Sequence, residues 1–238
     1  MSPLYLYALV GETPAGPLPS GIAREPLRLI DCDGVLAAVG EMAATPPLEA
    51  DALRGHDAAV RALSGDAGLL PARFGSVLRD EEELRAALRP RAAALRAALE
   101  RVRGCEQMTL RMAWGGQESG SNGSNERTGT ATAAVTATDN SHGPGTRYLA
   151  RRRAEQESAR AMPEVARLLD AVADLVREER LESHRRPPLI ASAYHLVARG
   201  SLEAYRARLD AAAAREGDLH VTVSGPWPPY AFAPGELG

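Results

Sequence analysis

The five histidines are the side chains best suited to acid–base or metal chemistry, but their spacing fits neither. They stand at positions 56, 142, 184, 195 and 220, and no two of them show a metal-ligand spacing. His195 and His220 fall on predicted strands that we expect to be neighbours, so the two side chains could meet. Histidines on strands are more often hydrogen-bonded or solvent-facing than metal-bound. The sequence therefore predicts no metal site.

Nucleophilic catalysis and phosphate binding also lack their usual signatures. The chain contains no GxSxG and no GxxxxGK[ST], and no GxGxxG opens a helix after a strand. Carboxylates at 80–83 stand at a predicted helix N-terminus, where they favour the helix dipole. Arginines at 151–153 begin a segment rich in Glu, which is typical of a solvated helix face. We expect no catalytic residues, no cofactor and no enzymatic activity.

The segment GPWPPY at 225–230 is the feature that points most directly to a function. Its prolines fix φ and extend the residues before them, which excludes helix and inner strand for 225–229. A stiff segment that presents Trp227 and Tyr230 suits a partner protein. The same segment could instead cross its own domain and bury the indole. We expect a mixed arrangement, in which Trp227 packs inward while Pro229 and Tyr230 present the contact edge.

The segment PARFG at 71–75 holds one of the two phenylalanines of the chain, and the other, Phe232, closely follows GPWPPY. We predict one strand over 69–78, with Phe74 buried and Arg73 on the opposite, open face. Pro71 stands near the start of this strand, where its missing N–H costs least. The protein-binding candidates are accordingly Arg73, Trp227, Pro228, Pro229 and Tyr230.

The elements that carry these segments alternate between strands and helices. The first half predicts a strand at 3–10, a hairpin turning at Asp33–Gly34, and a helix over 49–63. The strand 69–78 follows, then a helix capped by Asp80, interrupted at Pro90 and ended by Gly104, and a last strand over about 108–114. We assign residues 1–114 to an N-terminal domain.

Residues 115–145 are polar and rich in Gly, Ser and Thr, so we expect a flexible insertion there. Residues 146–238 form the predicted C-terminal domain. Its first part, up to residue 183, is rich in helix formers and predicts two successive helices separated near Pro163. A strand over 189–198, a helix capped by Ser201, a strand at about 218–225 and the proline-rich tail complete it. The predicted fold class is α/β (α+β), with two small domains.

Composition excludes several classes of function. A net charge of −3 and a pI near 6.0 give no broad basic surface, so we expect no nucleic-acid partner. No run approaches the roughly 18 apolar residues of a membrane span, and no signal peptide is recognisable. Cys32 and Cys105 indicate neither a disulfide framework nor a zinc site. We expect a cytoplasmic protein.

Several stretches together resemble the F/L family of gas vesicle proteins. They are YLYALV, PARFGSVL, TRYLARRR, ASAYHLV and GPWPPYAF, and the likeness runs over nearly the whole chain. The resemblance implies an accessory protein for gas vesicle formation that works with the hydrophobic shell protein and other accessory proteins. It also implies a modified ferredoxin-like first domain and a second domain whose long helices pack on a small sheet.

Two other classes of function stay open from the residues alone. A small-molecule-binding regulatory module could use the same architecture, because fold does not fix function. An enzyme could use His195 or His220 together with a nearby carboxylate.

Overall fold

Two antiparallel sheets organise the protein, which we analyse in a computed structural model. The structure describes residues 3–42, 44–65, 67–115, 157, 159–184 and 186–234. The first sheet comprises β1 (Leu4–Val10), β2 (Leu27–Asp31), β3 (Leu36–Glu41), β4 (Leu69–Pro71) and β5 (Val77–Leu78), with helices α1 (Ala50–Leu63), α2 (Glu81–Leu88) and α3 (Ala92–Val102). The second comprises β6 (Cys105–Trp114), β7 (Val176–Ser183), β8 (Leu189–Ala198) and β9 (Leu219–Trp227), with helices α4 (Pro163–Asp170) and α5 (Leu202–Ala213).

The first sheet has the strand order β2–β3–β1–β4, and β5 also pairs with β1. The predicted hairpin at Asp33–Gly34 is confirmed: φ is 56° at Asp33 and 78° at Gly34, as a type I′ turn requires. Every residue of β1 is buried. Its leucines pack in a cluster with α2 and α3, whereas Tyr5 and Tyr7 pack in a cluster with α1. The sheet is therefore covered on both faces.

Local signals set the ends of α2 and α3 as the sequence predicts. The Asp80 carboxylate accepts a hydrogen bond from the Glu83 N–H at 2.9 Å, which caps α2. Pro90 lies in a 3₁₀ turn, Arg89–Arg91, between the two helices. Gly104 follows α3 with φ of 65°, a conformation that glycine adopts without strain. Ser201, by contrast, precedes α5 without a side-chain capping bond.

The second sheet has the strand order β7–β8–β6–β9. With α4 between β6 and β7 and α5 between β8 and β9, this is the β-α-β-β-α-β arrangement of ferredoxin-like folds. The first sheet repeats the same strand order but carries no helix between β1 and β2. The α+β class with two sheets is thus confirmed. The first sheet has the strand order of the second but lacks the helix that connects its first two strands.

Two predictions that concern the second sheet differ from the structure. The segment 176–183, predicted as helix, is the strand β7, because it pairs along its length with β8 and this pairing outweighs its helix propensity. The strand that ends the predicted N-terminal domain, β6, pairs with β8 and β9 and so belongs to the second sheet. The boundaries at 114 and 146 stay predictions, and residues 116–145 lie outside the described part of the chain.

The two halves of the chain are in direct contact. Cys105 and Leu196 of the second sheet share a buried cluster with β1, α2 and α3 of the first half. The Arg199 guanidinium lies 3.2 Å from the Ser64 hydroxyl oxygen after α1. The Arg177 guanidinium donates to two backbone carbonyl oxygens around the end of α3, at 2.8 and 3.0 Å. Apolar packing and arginine–carbonyl bonds therefore join the halves.

Candidate protein-binding surface

The tail, residues 225–234, begins at an irregularity near the end of β9, and Trp227 still pairs with Gln107 of β6. The register shifts between Gln107 and Thr109 of β6, so the last residues of β9 bulge. Gly225 has φ of 120°, and an added Cβ would lie 2.7 Å from the Gln107 carbonyl oxygen. Only glycine fits there. A 3₁₀ turn over Tyr230–Phe232 follows the prolines, so the tail has a defined backbone course.

Buried residues fasten the tail to the rest of the protein. Phe232 is buried in the cluster shared with α2 and α3, and the Arg180 guanidinium carbon lies 5.2 Å from the centre of its ring. The Ala231 N–H donates to the Gln107 amide oxygen at 2.7 Å, and the Ala231 carbonyl accepts a bond from Arg180. Pro228 and Pro229 are also buried. The tail thus straps across both sheets.

Two of the three aromatic side chains of the tail are only partly covered. Trp227 is 36% exposed and Tyr230 is 37% exposed, so both can contact a partner. The prediction that Trp227 packs inward is wrong, because the indole lies at the surface beside α1. The prediction that Pro229 presents the contact edge is also wrong, since the ring is buried. Pro228 and Pro229 form the buried side of the segment, and Trp227 and Tyr230 form its outer surface.

Helix α1 supplies the polar side chains next to these aromatics. The Arg61 guanidinium carbon lies 4.5 Å from the centre of the Trp227 ring, a cation–π distance. The same guanidinium pairs with Asp57 at 2.6 Å and donates to the Pro226 carbonyl at 3.3 Å. Partial burial, followed by the negative charge of Asp57, raises the pKa of Tyr230. We name Trp227, Tyr230, Asp57 and Arg61 the tail surface.

The PARFG segment is a turn between β4 and β5 rather than one continuous strand. Gly75 has φ of 87°, which breaks the strand, and the Gly75 N–H donates to the Tyr5 hydroxyl at 3.0 Å. Phe74 is half-buried rather than fully buried, and Arg73 is exposed. The 3₁₀ turn of the tail packs against β4. The structure therefore places PARFG and the tail on adjacent parts of one region.

His56 of α1 connects this turn to the tail surface. Its ring lies edge-on to Phe74 at 5.8 Å, and Tyr7 stacks on it at 5.6 Å. Its Nε2 is 3.3 Å from the Ala72 carbonyl and its Nδ1 is 3.0 Å from the Tyr5 hydroxyl. Because a carbonyl only accepts, Nε2 carries the proton and Nδ1 accepts from Tyr5. Burial lowers the pKa of His56, which favours this neutral form.

Sequence reasoning missed the α1 part of the region. Asp57 and Arg61 stand four residues apart, the spacing of a helical ion pair, and that signal was available. Nothing in the spacing indicates that Trp227, far along the chain, lies against Arg61. The structure brings Trp227, Pro228, Pro229 and Tyr230 together with α1, and it places Arg73 at the neighbouring turn.

The histidine pair considered for chemistry does not form. Strand β6 lies between β8 and β9, so His195 and His220 are not on neighbouring strands, and that expectation is wrong. His195 is fully buried, with Nδ1 2.8 Å from the Tyr205 hydroxyl and Nε2 3.2 Å from the Glu179 carboxylate. Within the described residues, no group of three or more His, Cys, Asp or Glu side chains could hold a metal ion.

The helices of the described segments are each too short or too polar to span a bilayer.

Cys32 and Cys105 are both buried free thiols, and burial raises the pKa of each. Neither group suits a reactive thiolate, because low exposure and a raised pKa both disfavour one.

Comparisons with known proteins agree with this geometry over the length of the chain. "Gas vesicle protein L" from Streptomyces sp. (strain CB03234) is 29% identical over 259 residues, covering 96% of this chain and 92% of that protein. The crystal structure of gas vesicle protein GvpF from Anabaena sp. PCC7120 superposes with a TM-score of 0.71 at 17% identity, covering 99% of this chain and 98% of that one. GvpF from Microcystis aeruginosa also gives a TM-score of 0.71 at 17% identity, with coverages of 98% and 100%.

These two structures support the fold. The family described as "Gas vesicle synthesis protein GvpL/GvpF" matches residues 3–234. The chain therefore belongs to the GvpL/GvpF family of gas vesicle proteins.

Proposed function

We propose that this protein is a non-catalytic accessory protein for gas vesicle formation, and that its tail surface binds the hydrophobic shell protein or another accessory protein. The observation that carries the proposal is the half-exposed pair Trp227 and Tyr230 on a strap that the buried Pro228, Pro229 and Phe232 fasten to the rest of the protein. Aromatics held on a fixed backbone lose little entropy on binding, and Trp, Tyr and Arg are the residues most enriched among interface anchors.

Charge and shape at this surface suit a largely apolar partner. Arg61 is already paired with Asp57, so its charge is partly neutralised and the guanidinium lies against the indole. A partner that covers the two rings does not leave an unpaired cation behind, which is the costly case for an interface. The neighbouring Arg73 is exposed and supplies a polar rim. We expect the protein to act in the cytoplasm with forming gas vesicles.

The enzyme alternative that uses His195 has a specific obstacle in this fold. His195 lies beside Glu179 but has no exposed surface, so a substrate cannot reach its ring. His220, the other histidine considered, is exposed on β9. The regulatory-module alternative has no observation in its favour among the described residues.

Capture of the shell protein by the tagged protein, co-expressed from the same gene cluster, tests the proposal. We expect Trp227→Ala and Tyr230→Ala each to weaken capture by about 1 kcal/mol or more, roughly fivefold, at a temperature where unfolding curves show each variant to be fully folded. Trp114→Ala is the matched control, because Trp114 is a 41% exposed indole on β6, outside the tail surface. A folded Trp227→Ala, Tyr230→Ala double variant that still captures shell and accessory proteins fully would refute the proposal.

A further inference from the structure

The outer edge of β9 differs from the other sheet edges in having no charged residue. Its sequence is LHVTVSGPW, with β-branched residues at 221–223. Natural sheets blunt free edges with charges, prolines or very short strands. Strand β7 carries five charged residues in VREERLES, and β2 carries Arg28 and Asp31. Strand β4 has three residues and ends in Pro71, and β5 has two residues. Among the described strands, only β9 is a long edge without a charged residue, and its one proline, Pro226, lies beyond the stretch 219–224.

No described segment pairs with this edge. Strand β9 is the last strand in the sheet order, and its ladder partner is β6. Beyond the ladder, described residues reach its backbone only at its two ends. Gly115 donates to the Asp218 carbonyl just before the strand, and Arg206 and Arg61 donate to the Gly225 and Pro226 carbonyls. The bulge at Gly225 limits further pairing to residues 219–224.

We propose that this edge pairs with the β9 edge of a second copy of the chain, giving an antiparallel dimer about a two-fold axis at Thr222. This register places Thr222 opposite Thr222 and Val221 opposite Val223 on the strand of the second copy. Pairs of Thr residues and of β-branched residues are favourable across antiparallel strands. Val221 and Val223 already pack on the core under α4 and α5, so the pairing continues that apolar layer from one copy to the other.

Charges at the ends of β9 favour a second copy over an unrelated strand. The C-terminal end carries the Arg206 guanidinium beside Arg61, whose charge Asp57 partly neutralises, and the N-terminal end carries the exposed Asp218. In the antiparallel dimer, the acidic end of each copy lies opposite the basic end of the other. The edge is therefore complementary to itself, which a two-fold interface requires. The proposal does not depend on the proposed function.

Substitution at the two-fold axis tests the pairing. Thr222 is exposed, so Thr222→Arg is compatible with folding, and it places two guanidinium groups opposite each other in the dimer. We expect a concentration-dependent dimer for the wild type in sedimentation equilibrium, and at least a tenfold weaker association for Thr222→Arg. Thr45→Arg, the same change on an exposed loop, is the control and should dimerise as the wild type does. Mixing the Thr222→Arg protein with a separate Thr222→Asp protein should restore association, as a dimer with one copy of each variant.

Hydrogen exchange identifies the surface that is used. We expect the outward-facing amides of Val221 and Val223 to be protected in the dimer and to lose protection in Thr222→Arg. A wild-type protein that stays monomeric up to about 1 mM, the weak end of specific association, would overturn the proposal. A dimer that Thr222→Arg leaves intact would also overturn it. So would edge amides that remain protected in a monomeric variant, because the edge would then be occupied within one chain. Each outcome is independent of shell-protein capture.

Discussion

Replacement of Phe232 by Ala tests whether the tail is a structural strap. The side chain is 2% exposed and packs in the cluster that contains α2, α3 and Cys105 of β6. Truncating a buried Phe to Ala costs about 3 to 5 kcal/mol through lost burial and a residual cavity. The Arg180 guanidinium beside the ring adds a smaller contribution, since a cation–π contact is worth about 0.5 to 2 kcal/mol.

The expected loss of about 3 to 5 kcal/mol corresponds to a fall in melting temperature of roughly 6 to 20 °C for a chain of this size. Urea unfolding followed by circular dichroism gives the free energy directly, with the slope m as a check on two-state behaviour. Tyr230→Ala, in the same 3₁₀ turn but with its ring partly exposed, is the control and should cost much less. A loss of unfolding free energy below about 1 kcal/mol for Phe232→Ala, with an unchanged m, would refute the strap. Removal of a deeply buried ring costs more free energy than that.

Two further predictions concern a helix cap and a buried histidine. Asp80→Ala should cost about 1 kcal/mol of unfolding free energy through loss of the α2 cap, whereas Ser201→Ala should cost little, since Ser201 makes no capping bond to α5. The free energy of unfolding should fall as the pH drops below about 6.5, because the unfolded chain then binds a proton at His56 that the folded protein, with its lowered His56 pKa, does not. Chemical unfolding at a series of pH values should show that this free energy depends less steeply on pH in His56→Gln than in the wild type. An equal dependence in the two proteins would contradict a lowered pKa for His56.

Elements with a strong local signal were predictable from sequence. The Asp33–Gly34 turn needs only two residues that accept positive φ, and the α2 cap needs only an acceptor three residues before a free N–H. Strand β8 matches its predicted span of 189–198. In each case the physical cause lies within a few residues of its effect, so no knowledge of distant contacts was required.

Features that depend on distant contacts were not predictable in this way. Strand β7 has a helix-forming composition, and it is a strand because β8 offers it a ladder. The sheet to which β6 belongs is likewise fixed by partners more than 70 residues away, such as Ala198 opposite Cys105. At PARFG, the glycine that breaks the strand was visible, but the Tyr5 hydroxyl that holds its N–H lies on another strand.

The tail shows why its composition supported two interpretations equally. A strap and a platform both need stiff backbone and large apolar side chains, so GPWPPYAF satisfies either. The structure divides the roles by position: the two prolines and Phe232 are buried, whereas Trp227 and Tyr230 remain half-exposed. Burial of the prolines and Phe232 fixes the backbone before any partner arrives, which lowers the entropy that binding must offset. Weakening the strap through Phe232→Ala should therefore weaken capture by the tail surface as well, even though Phe232 itself lies outside that surface.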